Sequence, residues 1–120
     1  MTPALSSIIL YTPKIDEMAS FYCDFFSYKR HDIPGDRLVE LRSPGPGAIL
    51  LLHPAAKGMR QGQAAVKLTF TSQDVAGFCE ACAQKGLKFG TLHQADGYVF
   101  ANTKDPSGNS VSVSGRFSGQ

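Results

Sequence analysis

The sequence predicts an α+β fold made of two βαβββ modules in tandem, and three observations lead there. The two halves repeat each other at an offset of about 60 residues: Leu10 and Phe70, Ile15 and Val75, and Met18 and Phe78 occupy equivalent places. A repeat of that length is one duplicated supersecondary unit. Each half opens on an alternating, strand-like run and passes into a segment with apolar residues at helical spacing. Each half is then broken by Pro, Gly, Asn and Asp clusters that separate further strands. Duplication of such a unit also builds a cleft where the halves face one another.

The elements follow in order. Residues 5–12 read as a strand, and Met18, Phe21, Tyr22 and Phe25 make one apolar stripe on a helix over 16–27. A more polar strand at 28–33 ends at Pro34-Gly35-Asp36. Strands at 37–42 and 48–53 are joined by Pro44-Gly45-Pro46-Gly47, which lacks the following helix that a phosphate-binding loop needs. Residues 54–63 form the linker between the copies. The second copy gives a strand at 65–71 and a helix at 74–85, with Asp74 as N-cap and Gly86 as stop. Strands at 87–93, 97–103 and 110–114 follow, and the tail from Gly115 reads as frayed.

Composition narrows the classes. A chain of 120 residues is one domain, able to bury roughly two-thirds of its unfolded surface. Twelve basic residues against ten acidic ones are too balanced to indicate nucleic acid or an anionic membrane. No apolar run approaches a membrane span, and Met1-Thr2-Pro3-Ala4 has no secretion-signal character, so a soluble cytoplasmic protein is expected. Cys23, Cys79 and Cys82 are an odd set, as in a reducing compartment. Cys79 and Cys82 form C-x-x-C, but well inside a helix and with no second pair at zinc spacing. They read as packing residues.

Several residues together resemble a known family. Leu10-Tyr11-Thr12, then Phe21-Tyr22 and Phe26-Ser27, resemble the opening of the vicinal-oxygen-chelate superfamily, roughly L-Y-V-x-D followed by F-Y-x-x-x-L-G. Lys14 stands at the acidic place and Phe26-Ser27 replaces Leu-Gly. Asp105-Pro106-Ser107-Gly108-Asn109 matches the family's D-P-x-G-N turn. The superfamily includes glyoxalase I, extradiol dioxygenases, and the fosfomycin- and bleomycin-resistance proteins. The resemblance implies a curved mixed sheet around a ligand cleft, the glyoxalase/bleomycin-resistance fold, commonly completed in a homodimer. Pairing would also cover apolar strand faces such as Ile49 and Leu51.

The resemblance also implies metal-ligand places on the first and last strand of each module. Carried over, they fall on Ser7, Leu51, Lys67 and Ser112. None suits a divalent cation, and a protonated Lys repels one. No metal and no other cofactor is therefore expected. Without that Lewis acid, the family's chemistry loses its electrophile. No nucleophile–base pair replaces it, so no catalytic residue is assigned. The expected function is that of a metal-free small-molecule binding protein like the bleomycin-resistance proteins. The alternative is a divergent lyase or dioxygenase with relocated ligands.

The expected ligand site is Ser7, Ile9, Tyr11, Leu51, His53, Lys67, Thr69, His93, Tyr98 and Ser112. Strand alternation turns Lys67 inward with Thr69 and Thr71. Lys67 either receives an anionic or carbonyl-bearing ligand, flanked by Ser7 and Ser112 as hydroxyl donors, or reaches solvent at the cleft mouth. Ile9, Tyr11 and Tyr98 would pack on a planar or apolar ligand. His53 and His93 either line the cleft or face solvent. A rebuilt metal site from His53, His93 and Glu40 is disfavoured, because alternation turns Glu40 to the opposite face.

Overall fold

The computed structural model describes residues 2–118. The chain divides into two compact units, Met1–Gln61 and Gly62–Gln120. The first contains β1 (Ser7–Thr12), α1 (Ile15–Phe26), β2 (Lys29–Asp32), β3 (Val39–Arg42) and β4 (Ile49–Pro54). The second contains β5 (Lys67–Thr71), α2 (Val75–Gln84), β6 (His93–Gln94), β7 (Val99–Lys104) and β8 (Ser110–Ser114). Each is the predicted βαβββ module.

Each module folds into one four-stranded mixed sheet, in the order β1-β4-β3-β2 and β5-β8-β7-β6. The last strand returns beside the first and runs parallel to it. Register shows the duplication strand by strand: Ile9 pairs with Leu51 in the first sheet, and Thr69 with Ser112 in the second. The first strands correspond at an offset of 60 (69 − 9) and the last strands at 61 (112 − 51).

In the first unit, α1 buries Met18, Ala19, Phe21, Tyr22 and Phe26. They pack on the sheet face that carries Leu41, Leu50 and Leu52, all buried. Each such side chain contributes roughly 1.5–3 kcal/mol by leaving water. Arg30 ties helix to sheet, reaching Asp16 at 2.9 Å and Asp32 at 2.8 Å. The helix ends at Ser27, which takes a left-handed conformation with φ 60°. It is the non-glycine residue with positive φ among the described residues, and it stands where the family motif carries Gly. The strain is local, because a Cβ disfavours this region.

In the second unit, α2 starts as expected: the Asp74 carboxylate accepts the Gly77 amide at 3.0 Å. It ends in a Schellman motif, where the Gly86 amide donates to Ala83 O and the Leu87 amide to Cys82 O. Gly86 supplies the required φ of +95°. The core here is Val75, Ala101 and Val113, with Phe78, Cys79, Phe89 and Val99 packed around it. Burial pushes the thiols of Cys79 and Cys82 above the usual thiol range, and their mutual repulsion adds to this for Cys79. Helix-interior thiols held neutral suit the packing role.

The Asp105–Asn109 turn is a closed hydrogen-bonded loop. Buried Asp105 accepts the amides of Ser107 and Asn109, both at 3.0 Å, and the Asn109 side-chain amide at 2.9 Å. Gly108 takes φ +86°, and a Cβ on Gly62 would press on the Gly108 carbonyl. Gly62 thus permits a close backbone contact that a side chain there would block, and Gly108 supplies the left-handed turn.

Three expectations need correction. The strand expected over 87–93 is reduced to His93–Gln94, since only these residues pair with β7. Before them, the segment is tied to β7 at separate points rather than by a ladder: the Gly90 amide donates to Asn102 O at 2.8 Å, and the Thr103 hydroxyl donates to Lys88 O at 3.0 Å. The tail is not frayed through Ser118: the Gly115 amide donates to Val99 O, and the Ser118 amide and hydroxyl close a turn on Gly115 O. Gly119 and Gln120 lie outside the described residues. Glu40 does not face away from Leu51: the two are cross-strand partners, so their side chains share one face.

Candidate functional site

Each sheet has one face on its helix and one open face. On the first sheet the open face carries Ser7, Ile9 and Tyr11 from β1, then Ile49, Leu51 and His53 from β4. Ile9 and Tyr11 are 45 % and 46 % exposed, whereas Ile49 and Leu51 are half-buried. Tyr11 and His53 are register partners with ring centroids 5.0 Å apart. The His53 Nδ1 donates to Pro54 O at 2.7 Å. Glu40 lies on this face too, held by Arg42 at 2.9 Å, with His31 as its neighbour on β2.

The corresponding face of the second sheet is chemically different. Lys67, Thr69 and Thr71 come from β5, Ser112 and Ser114 from β8, and Phe100 from β7. Together with Tyr98, Arg116 and Phe117 they line an open cavity of about 430 Å³. The strands supply hydroxyls because alternation in Lys67–Thr71 and Ser110–Ser114 sends Leu68, Val111 and Val113 to the helix side. The turn after β8 brings Arg116 back over the sheet, its amide bonded to Ser114 Oγ at 3.1 Å.

Both cations stand over rings. Lys67 Nζ lies 5.8 Å from the centroid of Phe100, and Arg116 Cζ lies 5.7 Å from that of Tyr98 and 5.6 Å from that of Phe117. Such placements attract a cation through the ring quadrupole. Lys67 also donates to Asn102 Oδ1 at 3.0 Å. The lining residues include no carboxylate.

The sequence-derived site residues therefore divide between the units. Lys67, Thr69, Tyr98 and Ser112 line the second unit's cavity; Ser7, Ile9, Tyr11, Leu51 and His53 lie on the first unit's open face. His93 packs on Phe100 at 5.1 Å without lining the cavity. Ser112 is not a free donor: it is 2 % exposed and its hydroxyl proton goes to Ala101 O at 3.1 Å. Donation to a ligand falls to Thr69, Thr71 and Ser114 instead. Thr71, Ser114, Phe100, Arg116 and Phe117 were not in the expected set. Thr71 and Ser114 follow from alternation, but nothing local marks Arg116.

The residues at the family's metal places do not fit a divalent cation. The Lys67 ammonium is engaged with a neutral amide, Ser112 gives its proton to the backbone, and Leu51 is apolar. Among the described residues, no three His, Cys, Asp or Glu side chains come together as ligands. Glu40, although on the His53 face, is taken by Arg42.

Two tandem βαβββ modules, each leaving one sheet face open beside a parallel first–last strand pair, define the class of fold. The chain belongs to the Glyoxalase/Bleomycin resistance protein/Dioxygenase superfamily, whose family model matches residues 4–113. Among solved structures it is similar to TnmS3, an antibiotic binding protein from Streptomyces sp. CB03234. The TM-score is 0.78 at 17 % identity, over 93 % of this chain and 94 % of that one. It is also similar to a lactoylglutathione lyase from Agrobacterium tumefaciens, with a TM-score of 0.72 at 21 % identity, over 95 % and 94 % of the two chains. The oxidase ChaP-H2 gives a TM-score of 0.75 at 19 % identity, over 97 % and 95 %. At such identities the likeness establishes the fold. No functionally curated protein matches the sequence. Among the described residues, no helix is long and apolar enough to cross a membrane.

Proposed function

We propose that this chain is a metal-independent small-molecule binding protein that sequesters its ligand without transforming it. One observation carries the reading: Lys67 and Ser112, at two of the family's metal places, line a cavity furnished with hydroxyls and rings. Those groups can orient and cover a ligand, whereas metal-assisted catalysis would need a ligand set that these positions do not offer. TnmS3, an antibiotic binding protein on the same fold, is consistent with this use. Homodimer formation belongs to the same proposal, supported by the exposure of Ile9 and Tyr11 on the first sheet.

The test is metal analysis of protein purified without chelator, followed by mass spectrometry of any ligand before and after binding. Substoichiometric metal and a ligand released unchanged are expected. A stoichiometric metal, or a chemically altered ligand, overturns the proposal in favour of a lyase or dioxygenase. Light scattering at several concentrations measures the dimer, and a monomer throughout removes that part.

A further inference from the structure

We infer that the second unit's cavity selects a planar aromatic anion, a carboxylate or sulfonate-like group on a conjugated ring, gripped between Lys67 and Arg116. The inference rests on the binding function proposed above and adds the chemical class of the ligand.

Charge carries the first half. Two cations face the same cavity, and among the described residues neither has a carboxylate partner: Lys67 is bonded to an amide oxygen and Arg116 to the Tyr98 hydroxyl, at 3.4 Å. Elsewhere, by contrast, Arg30 is paired with Asp16 and Asp32, and Arg42 with Glu40. A concave site with one sign of charge and no built-in counter-charge concentrates ions of the opposite sign. A ligand carboxylate supplies what the fold withholds. It meets an ammonium at one place and a planar guanidinium fork at another, which suits bidentate capture.

Shape carries the second half. Tyr98 and Phe100 lie with centroids 6.3 Å apart on the floor, and Phe117 stands beside Arg116. Rings at this spacing accept a flat conjugated ligand in offset or tilted contact. The hydroxyls of Thr69 and Thr71 on the opposite strand can donate to ring substituents, which a purely aliphatic anion would leave unused. The corresponding face of the first unit shows that the fold does not impose this chemistry. There the equivalent places hold Ile9, Tyr11 and Leu51, and Arg42 is already paired with Glu40.

The experiment compares two dyes with one aromatic skeleton, anilinonaphthalene sulfonate and the neutral N-phenyl naphthylamine, titrated into the full chain. Amide chemical shifts locate the site through Thr69, Thr71, Ser112 and Ser114. The sulfonate is expected to bind at least about tenfold more tightly than the neutral dye, and to weaken as salt rises. Lys67→Met and Arg116→Met are each expected to remove at least about threefold of the sulfonate affinity while leaving the neutral dye unaffected. Lys67→Arg and Arg116→Lys, which keep the charge, should restore most of it. If both dyes shift these amides with equal affinity and the substitutions change neither, the cavity binds small molecules but does not read charge, and this inference falls alone. If neither dye shifts these amides, the binding reading falls with it.

Discussion

Lys67 reaches across the second sheet to Asn102, its ammonium 3.0 Å from Oδ1. The two residues are 35 apart in sequence and meet because β5 and β7 flank β8, which pairs with both. A neutral amide holds the cation in place without cancelling its charge.

Asn102→Asp is nearly isosteric and converts that contact into an ion pair. Affinity for anilinonaphthalene sulfonate should fall about tenfold, since the carboxylate both occupies Lys67 and repels the dye. Fluorescence titration reads the loss, and the neutral dye serves as control. An unchanged sulfonate affinity would show that the Lys67 charge is not used.

Ser27 stands in a left-handed conformation, with its own amide and that of Tyr28 both returning to the Tyr22 carbonyl. Ser27→Gly relieves the Cβ strain and should stabilise the chain by about 0.5–1 kcal/mol, the relief exceeding the added unfolded-state entropy. Urea denaturation measures it. Loss of stability would mean that the backbone is not strained here.

Asp105 is buried and accepts three hydrogen bonds from its own turn. Asp105→Ala strands those donors and should cost about 3 kcal/mol. The same measurement serves, with Ser107→Ala as a milder companion because it keeps the Ser107 amide that donates to the carboxylate.

Three thiols bear on the response to alkaline pH. Burial raises Cys23, Cys79 and Cys82 above the usual thiol pKa, with the Asp24 charge adding to the rise at Cys23. The folded state therefore holds these protons more tightly than the unfolded chain does. The stability so linked is fully present below the ordinary thiol pKa and is lost as pH rises from there through the raised folded values. The urea midpoint should decline over that alkaline window, and Cys82→Ala should flatten the decline. A midpoint independent of pH there would contradict the burial of the thiols.

Much of the architecture was legible in the sequence because it is written locally. The apolar stripe of α1, the Asp74 cap, the Gly86 stop and the Asp105–Asn109 turn each depend on residues a few positions apart. The 60-residue offset carried the element order from one module to the other, though not the caps: Lys14 stands where the second module has Asp74. Lys67 and Thr69 were assignable to the cavity by the same means, through alternation on one strand. The expected strand over 87–93 failed because local propensity does not create a partner: of that stretch, only His93 pairs with β7, continued by Gln94.

What the tertiary structure decided is which strand faces coincide. Alternation fixes the period of a strand but not its phase against a neighbour, and a shift of one residue exchanges the two faces. Glu40 came to share the face of Leu51 in this way, and pairing of β8 with β7 set the Ser112 hydroxyl against Ala101 O, which takes its proton. Arg116 joined the cavity for a related reason. Its position depends on the Gly115 amide reaching Val99 O, a bond between segments that only sheet formation brings together. The sequence by itself determined two copies of one module and the chemistry written on each strand. Backbone pairing between distant segments decided that one copy groups Ile9, Tyr11 and Leu51 with a paired Glu40 on its open face, and the other gathers Lys67 and Arg116 in one cavity.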